Sequence, residues 1–103
     1  MKHMVRMAVT PQAGIEIESR PGGPGPVMGR LVERFKPEAM YMCPARREVI
    51  MVCELSLPDM AELMIAGVQL AGQYPEFLPV IDAKEFGAIV GKAIPAAKKI
   101  IEG

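Results

Sequence analysis

Apolar and polar positions follow two different periods along this chain, and the switches between them mark out its elements. "HMVRMAVTP", His3 to Pro11, is short, apolar and closed by a proline, and predicts a first strand. In "GIEIE" apolar and acidic residues alternate, and "SRPGGPGP" then breaks regular structure. Residues 12–25 are therefore expected to form an irregular Gly/Pro-rich loop, with a strand extension at Ile15 and Ile17. From Pro26 the period becomes helical. Val27, Met28, Leu31, Val32 and Phe35 share one face, Arg30, Glu33 and Arg34 take the other, and Pro37 ends the helix.

The next stretch, "AMYMCPARREVIMVCEL", is two apolar runs around a small charged knot. Val49 to Leu55 reads as a buried strand, with Met40 to Cys43 as its hairpin partner. A turn centred on Ala45 and Arg46 sets Cys43 opposite Glu48, Met42 opposite Val49 and Met40 opposite Met51. Side chains alternate along a strand. One face then carries Met40, Met42, Val49, Met51, Cys53 and Leu55, and belongs under helices. The other carries Tyr41, Cys43, Ile50, Val52 and Glu54. The two cysteines fall on opposite faces about 17 Å apart, too far for a disulfide, which needs Cα atoms within ~7 Å.

Ser56 and Asp59 stand at capping-box spacing and open a second helix to about Gln73. Its polar residues are so few that it is expected to be covered on most sides. "FLPVI" is a fourth strand, and Pro79 assigns it to a sheet edge. Asp82 and Glu85 form a second capping box, and Pro95 is expected to interrupt the helix that follows, leaving residues 92–103 as a helical extension. The order strand–helix–strand–strand–helix–strand plus an extra helix is an α+β, ferredoxin-like βαββαβ plan: one domain over residues 1–103 with a four-stranded antiparallel sheet.

Such a sheet has helices on one face only. With Ile50 and Val52 in a central strand, its free face is expected to meet a ligand or another sheet rather than solvent. Half of the 103 residues are hydrophobic, which points the same way, to a partner chain. Charge adds an exclusion. Twelve basic and twelve acidic residues balance, so no basic excess favours nucleic acid, and no apolar run is long enough for a membrane span. Two cysteines without a secretory signal indicate reduced thiols and a cytoplasmic setting.

From "FKPEAMYM", "SLPDMAELMIAG" and "YPEFLPVIDAKEFGAIV", roughly Pro26 to Val90, the chain resembles the dimeric α/β-barrel superfamily, and a short, uncharacterised family within it. The resemblance implies a homodimer through the sheet face and a cavity there for a small organic molecule. Relatives include cofactor-independent monooxygenases and muconolactone-type isomerases, so an activity, if present, is expected to be of those kinds. None of those enzymes' catalytic motifs is visible, and no cofactor is implied.

The candidate chemistry is sparse. Arg6, Tyr41 and Glu54 are expected to meet on the free face, Arg6 pairing with Glu54 and Tyr41 acting as donor or acid toward an acidic or phenolic ligand. Cys43 lies near Arg46 and Arg47, whose charge would favour a thiolate, but no general base stands at an obvious partner position and the favoured reading is a buried or incidental thiol. Met40, Met42, Met51 and Cys53 would suit a soft metal, but as a set on the helix-covered face they read as core. "GGPGP" before a helix would offer amides to an anion, or act as a lid over the cavity mouth. The competing reading is a non-enzymatic dimeric module with a filled interface.

Overall fold

A computed structural model describes residues 1–103. The elements are β1 (Lys2–Ala8), α1 (Pro11–Glu18), α2 (Gly25–Phe35), β2 (Ala39–Cys43), β3 (Glu48–Glu54), α3 (Leu57–Ala71), β4 (Glu76–Pro79) and α4 (Ala83–Glu102), with a 3-10 turn at Pro44–Arg46. The four strands form one antiparallel sheet in the order β2-β3-β1-β4. The two apolar strands β1 and β3 are central, and Pro79 sits on the edge strand, where no ladder donor is missed.

The hairpin register is the expected one, with Cys43 opposite Glu48, Met42 opposite Val49 and Met40 opposite Met51. Arg47 closes the turn in the left-handed region (φ 47°), and its carbonyl accepts the Val9 amide at 2.8 Å. Met51, Cys53 and Leu55 go under the helices. They join Val5 and Met7 of β1, Leu31 and Phe35 of α2 and Leu63 of α3 in the core. Each large side chain fully buried there contributes about 1.5–3 kcal/mol. His3 is also buried, opposite Cys53, with Nδ1 2.8 Å from the Met1 carbonyl, so it belongs to the fold. Both cysteines are free thiols.

Residues 12–25 are not an irregular loop throughout. Thr10 caps a helix, its Oγ1 accepting the Ala13 amide at 3.2 Å, and Pro11 occupies the first turn, where a missing N–H costs nothing. The isoleucines of "GIEIE" therefore lie on α1, and Ile15 is exposed. The helix is anchored on α3: the Thr10 amide donates to the Ala71 carbonyl at 2.9 Å. Only Ser19 to Pro24 remain a turn segment, with Gly22 and Gly23 at positive φ.

Three further expectations change. The Ser56–Asp59 capping box is formed, but α3 buries one face only and leaves Leu57 and Ile65 exposed. Asp82 is an N-cap without a side-chain bond, because its carboxylate accepts from Lys2 Nζ at 3.1 Å instead. Pro95 does not interrupt the last helix, which runs unbroken from Ala83 to Glu102. The proline removes only the N–H that would have met the Gly91 carbonyl.

That last helix gives the molecule its shape. None of its residues is buried. The principal extents are 60 × 28 × 23 Å and the radius of gyration is 17.5 Å, against ~13 Å for a compact chain of this length.

Candidate functional site

The register sorts the sheet into two surfaces. On the open one, Tyr41, Ile50, Arg6 and Glu76 lie in one row across the four strands, and Ala39, Val52, Met4 and Leu78 in the next. Arg6 and Tyr41 thus flank Ile50, roughly 10 Å apart at two strand spacings. Glu54 is not with them. It lies opposite Lys2 at the far end of β3 and pairs with the N-terminal ammonium at 2.6 Å. The expected Arg6–Glu54 pair is therefore replaced. Arg6 grips Glu48, with Nε 2.5 Å from Oε1 and an Nη 3.3 Å from Oε2. Arg46 adds a second cation 3.3 Å from the same carboxylate.

Glu48 is almost fully buried, and the bidentate Arg6 guanidinium, with Arg46, holds its carboxyl below the usual carboxylate range. A buried carboxylate clamped by two guanidiniums is a structural tie between β1 and β3, not a free acid. At the other end of the face, Lys2 lies 2.9 Å from Glu38 and 3.1 Å from Asp82, and this double contact raises its ammonium above the ordinary lysine range. On the open face, beside Arg6, Glu48 and Tyr74, lies a small polar depression of about 120 Å³.

The large cavity is on the opposite surface. It measures about 710 Å³ and opens between α1, α2 and the hairpin end of the sheet. Eleven of its eighteen lining residues are hydrophobic, so the space is an apolar one with a few polar groups at set places. Met7 and Val49 come from the sheet, Val27, Met28 and Leu31 from α2, and Ile17 from α1. The polar groups are Arg47, Glu18, Glu48 and the Cys43 thiol. Of the four residues singled out from the sequence, Cys43 alone reaches this cavity. Arg6, Tyr41 and Glu54 do not.

Arg47 is placed by two constraints. Its left-handed backbone is tied to Val9, and its guanidinium lies against α1, where a Cβ added to Gly14 would come within 2.7 Å of Nη1. Gly14 thus makes room for the arginine. Glu18, one turn further along α1, answers it at 3.7 Å, a distance that leaves the guanidinium's donors largely uncommitted. Pro24 and Gly25 of the Gly/Pro segment form part of the cavity wall.

Four residues of the site are not legible in the sequence: Glu18 and Gly14 because both sit on α1, Arg47 because only the fold sets it against α1, and Glu48 because its pairing with Arg6 depends on the β1–β3 register. For α1 the signal was present: Thr10 followed by Pro11 is an N-cap and first-turn pair. The alternation in "GIEIE" masked it.

No protein-family model, curated protein or solved structure matches the chain. No helix is long and apolar enough to cross a membrane. The sulfurs of Met51 and Cys53 are fully buried core atoms, and burial pushes the Cys53 thiol up.

Proposed function

We propose that the chain is a cytoplasmic, ferredoxin-like homodimer of the dimeric α/β-barrel kind that binds a small, mainly apolar organic molecule carrying an acidic group. The observation that carries this reading is the cavity of about 710 Å³ with Arg47 on its wall. The apolar lining would supply affinity through area removed from water. Arg47 would supply orientation, since a guanidinium takes a carboxylate or phenolate through paired N–H donors. An incoming anion would replace Glu18, whose contact at 3.7 Å is long and exposed. The Gly/Pro segment at Pro24 and Gly25 stands where a lid would close.

Homodimerisation through the open sheet face is supported by Met4, Ile50, Val52 and Leu78. These form a contiguous apolar patch in which Leu78 is exposed and Met4, Ile50 and Val52 are half-buried. The depression of about 120 Å³ on that face favours a filled interface there over a ligand site.

The test is a thermal-shift screen of aromatic and aliphatic carboxylates, with their neutral amides as controls. Acids should raise the melting temperature of the wild type more than their amides do, and Arg47→Gly should remove that difference. An amide response equal to the acid response would sink the assignment of Arg47.

A further inference from the structure

The helix α4 presents an apolar surface that its own chain leaves almost wholly exposed. At 100° per residue, Phe86, Ile89, Val90, Ala93, Ile94, Ala97, Ile100 and Ile101 fall within an arc of about 140°. All but Val90 are exposed, Ile100 by 86% and Ile101 by 81%. An isolated helix of this length, with Gly87, Gly91 and Pro95 inside it, is marginal in water, because helices in proteins draw most of their stability from packing a face. Its apolar stripe needs a partner.

We infer that the partner is a second copy of this chain: α4 of each protomer lies with its apolar stripe across the open sheet face of the other. Three observations select this occupant. The first is a matching vacancy, the patch of Met4, Ile50, Val52 and Leu78 on a sheet face with no covering layer. Two uncovered surfaces on one chain satisfy each other in a closed, two-fold exchange. The second is size. Twenty helical residues span ~30 Å, enough to cross strands of seven residues, which span ~23 Å.

The third is charge. α4 carries four lysines and two glutamates, whereas residues 1–82 carry eight basic and ten acidic residues. The arm is net positive by two and the body net negative by two. The carboxylates bordering the open face are exposed, Glu54, Glu76, Asp82 and Glu38 among them. Lys98 and Lys92, which flank the stripe, can reach such a rim while their stems stay on apolar surface; Lys84 and Lys99 lie on the opposite side of the helix. The inference rests on the homodimer part of that reading and departs from its barrel form, placing helices rather than a second sheet on each open face.

The experiment combines mass and cross-linking on the full-length protein. Sedimentation should give twice the 11.2 kDa chain mass for the wild type. The double variant Ile89→Glu, Ile94→Glu should weaken the dimer by about a hundredfold or more, with strand circular dichroism retained. In a Cys43→Ser background, chains carrying Ile50→Cys and chains carrying Ile94→Cys should form a disulfide-linked dimer when mixed and oxidised, and neither should do so alone. A double variant that stays dimeric overturns the role of α4 and leaves the sheet-face dimer standing. A monomeric wild type overturns both. A cross-link confined to single chains bearing both cysteines shows α4 folding back on its own sheet. Binding to anionic vesicles by a monomer, lost in the Glu variant, assigns the stripe to a membrane surface instead.

Discussion

Arg6 on β1 and Glu48 on β3 are diagonal neighbours joined by two N–H···O contacts, and the carboxylate they share is almost fully buried. The arginine makes that burial tolerable, and the two side chains bolt together the two central strands. A carboxyl held low in the native state stabilises the fold at pH values above the unfolded value of 4.5, and that contribution is lost as pH falls through the lowered native value. Urea denaturation should therefore show the wild type losing stability as the pH falls below about 5, with a flatter profile for Glu48→Gln. Asp59, also held low by the Ser56 amide, Arg34 and the Ser56 hydroxyl, contributes its own loss as the pH falls below its ordinary value of 3.8, so some slope should remain. An unchanged slope in Glu48→Gln would mean that the pair carries no pH-dependent stability.

The alternation of side chains let the β2–β3 register be read, because a short turn fixes register locally, but at the hairpin end the faces do not hold: Met42, expected under the helices, is exposed, and Cys43, expected on the open face, lines the cavity. The partner of Arg6 was not legible in the same way. Which residue of β3 lies near it depends on how two strands more than forty positions apart slide against each other, and that is settled by the whole core. The cavity was hidden for a related reason. One of its walls is α1, a helix of eight residues whose start is a local Thr–Pro signal but whose body reads as alternation. Its stability comes from α3, which no local pattern announces.

Gly72 shows how tightly α1 is docked. It caps α3 at φ 79°, and a Cβ there would lie 2.5 Å from Thr10 Oγ1. Gly72→Ala combines a left-handed backbone, costing about 1–2 kcal/mol, with a clash against the residue that caps α1. Thr10→Ala, which loses only the cap, should cost about 1 kcal/mol. Both variants should speed amide exchange over Ala13 to Glu18, with Gly72→Ala the more destabilised in urea. Equal stability of Gly72→Ala and wild type would contradict this close approach.

Gly14 separates stability from recognition. The nearest atom to an added Cβ is the end of a flexible arginine, so Arg47 can swing aside, while alanine favours the helix by up to about 1 kcal/mol. Gly14→Ala should therefore fold with a stability within about 1 kcal/mol of wild type. It should also bind carboxylates more weakly, because the guanidinium has left its seat. Calorimetric titration with any acid that stabilises the wild type checks this, and undiminished affinity would show that the seat on α1 does not matter.

The two thiols should respond oppositely to an alkylating reagent. Cys53 has no exposed surface, and its burial keeps the proton on sulfur, so neither access nor thiolate is available. Cys43 is half-buried on the cavity wall, beside the space that the ligand would fill. Iodoacetamide on the native protein should add a single group, at Cys43, and mass spectrometry of the digest should find Cys53 modified only after unfolding. A carboxylate seated in the cavity should slow the Cys43 reaction in proportion to its occupancy. An acid that raised the melting temperature yet left that rate unchanged would be bound elsewhere, and the cavity beside Arg47 would lose its claim as the site.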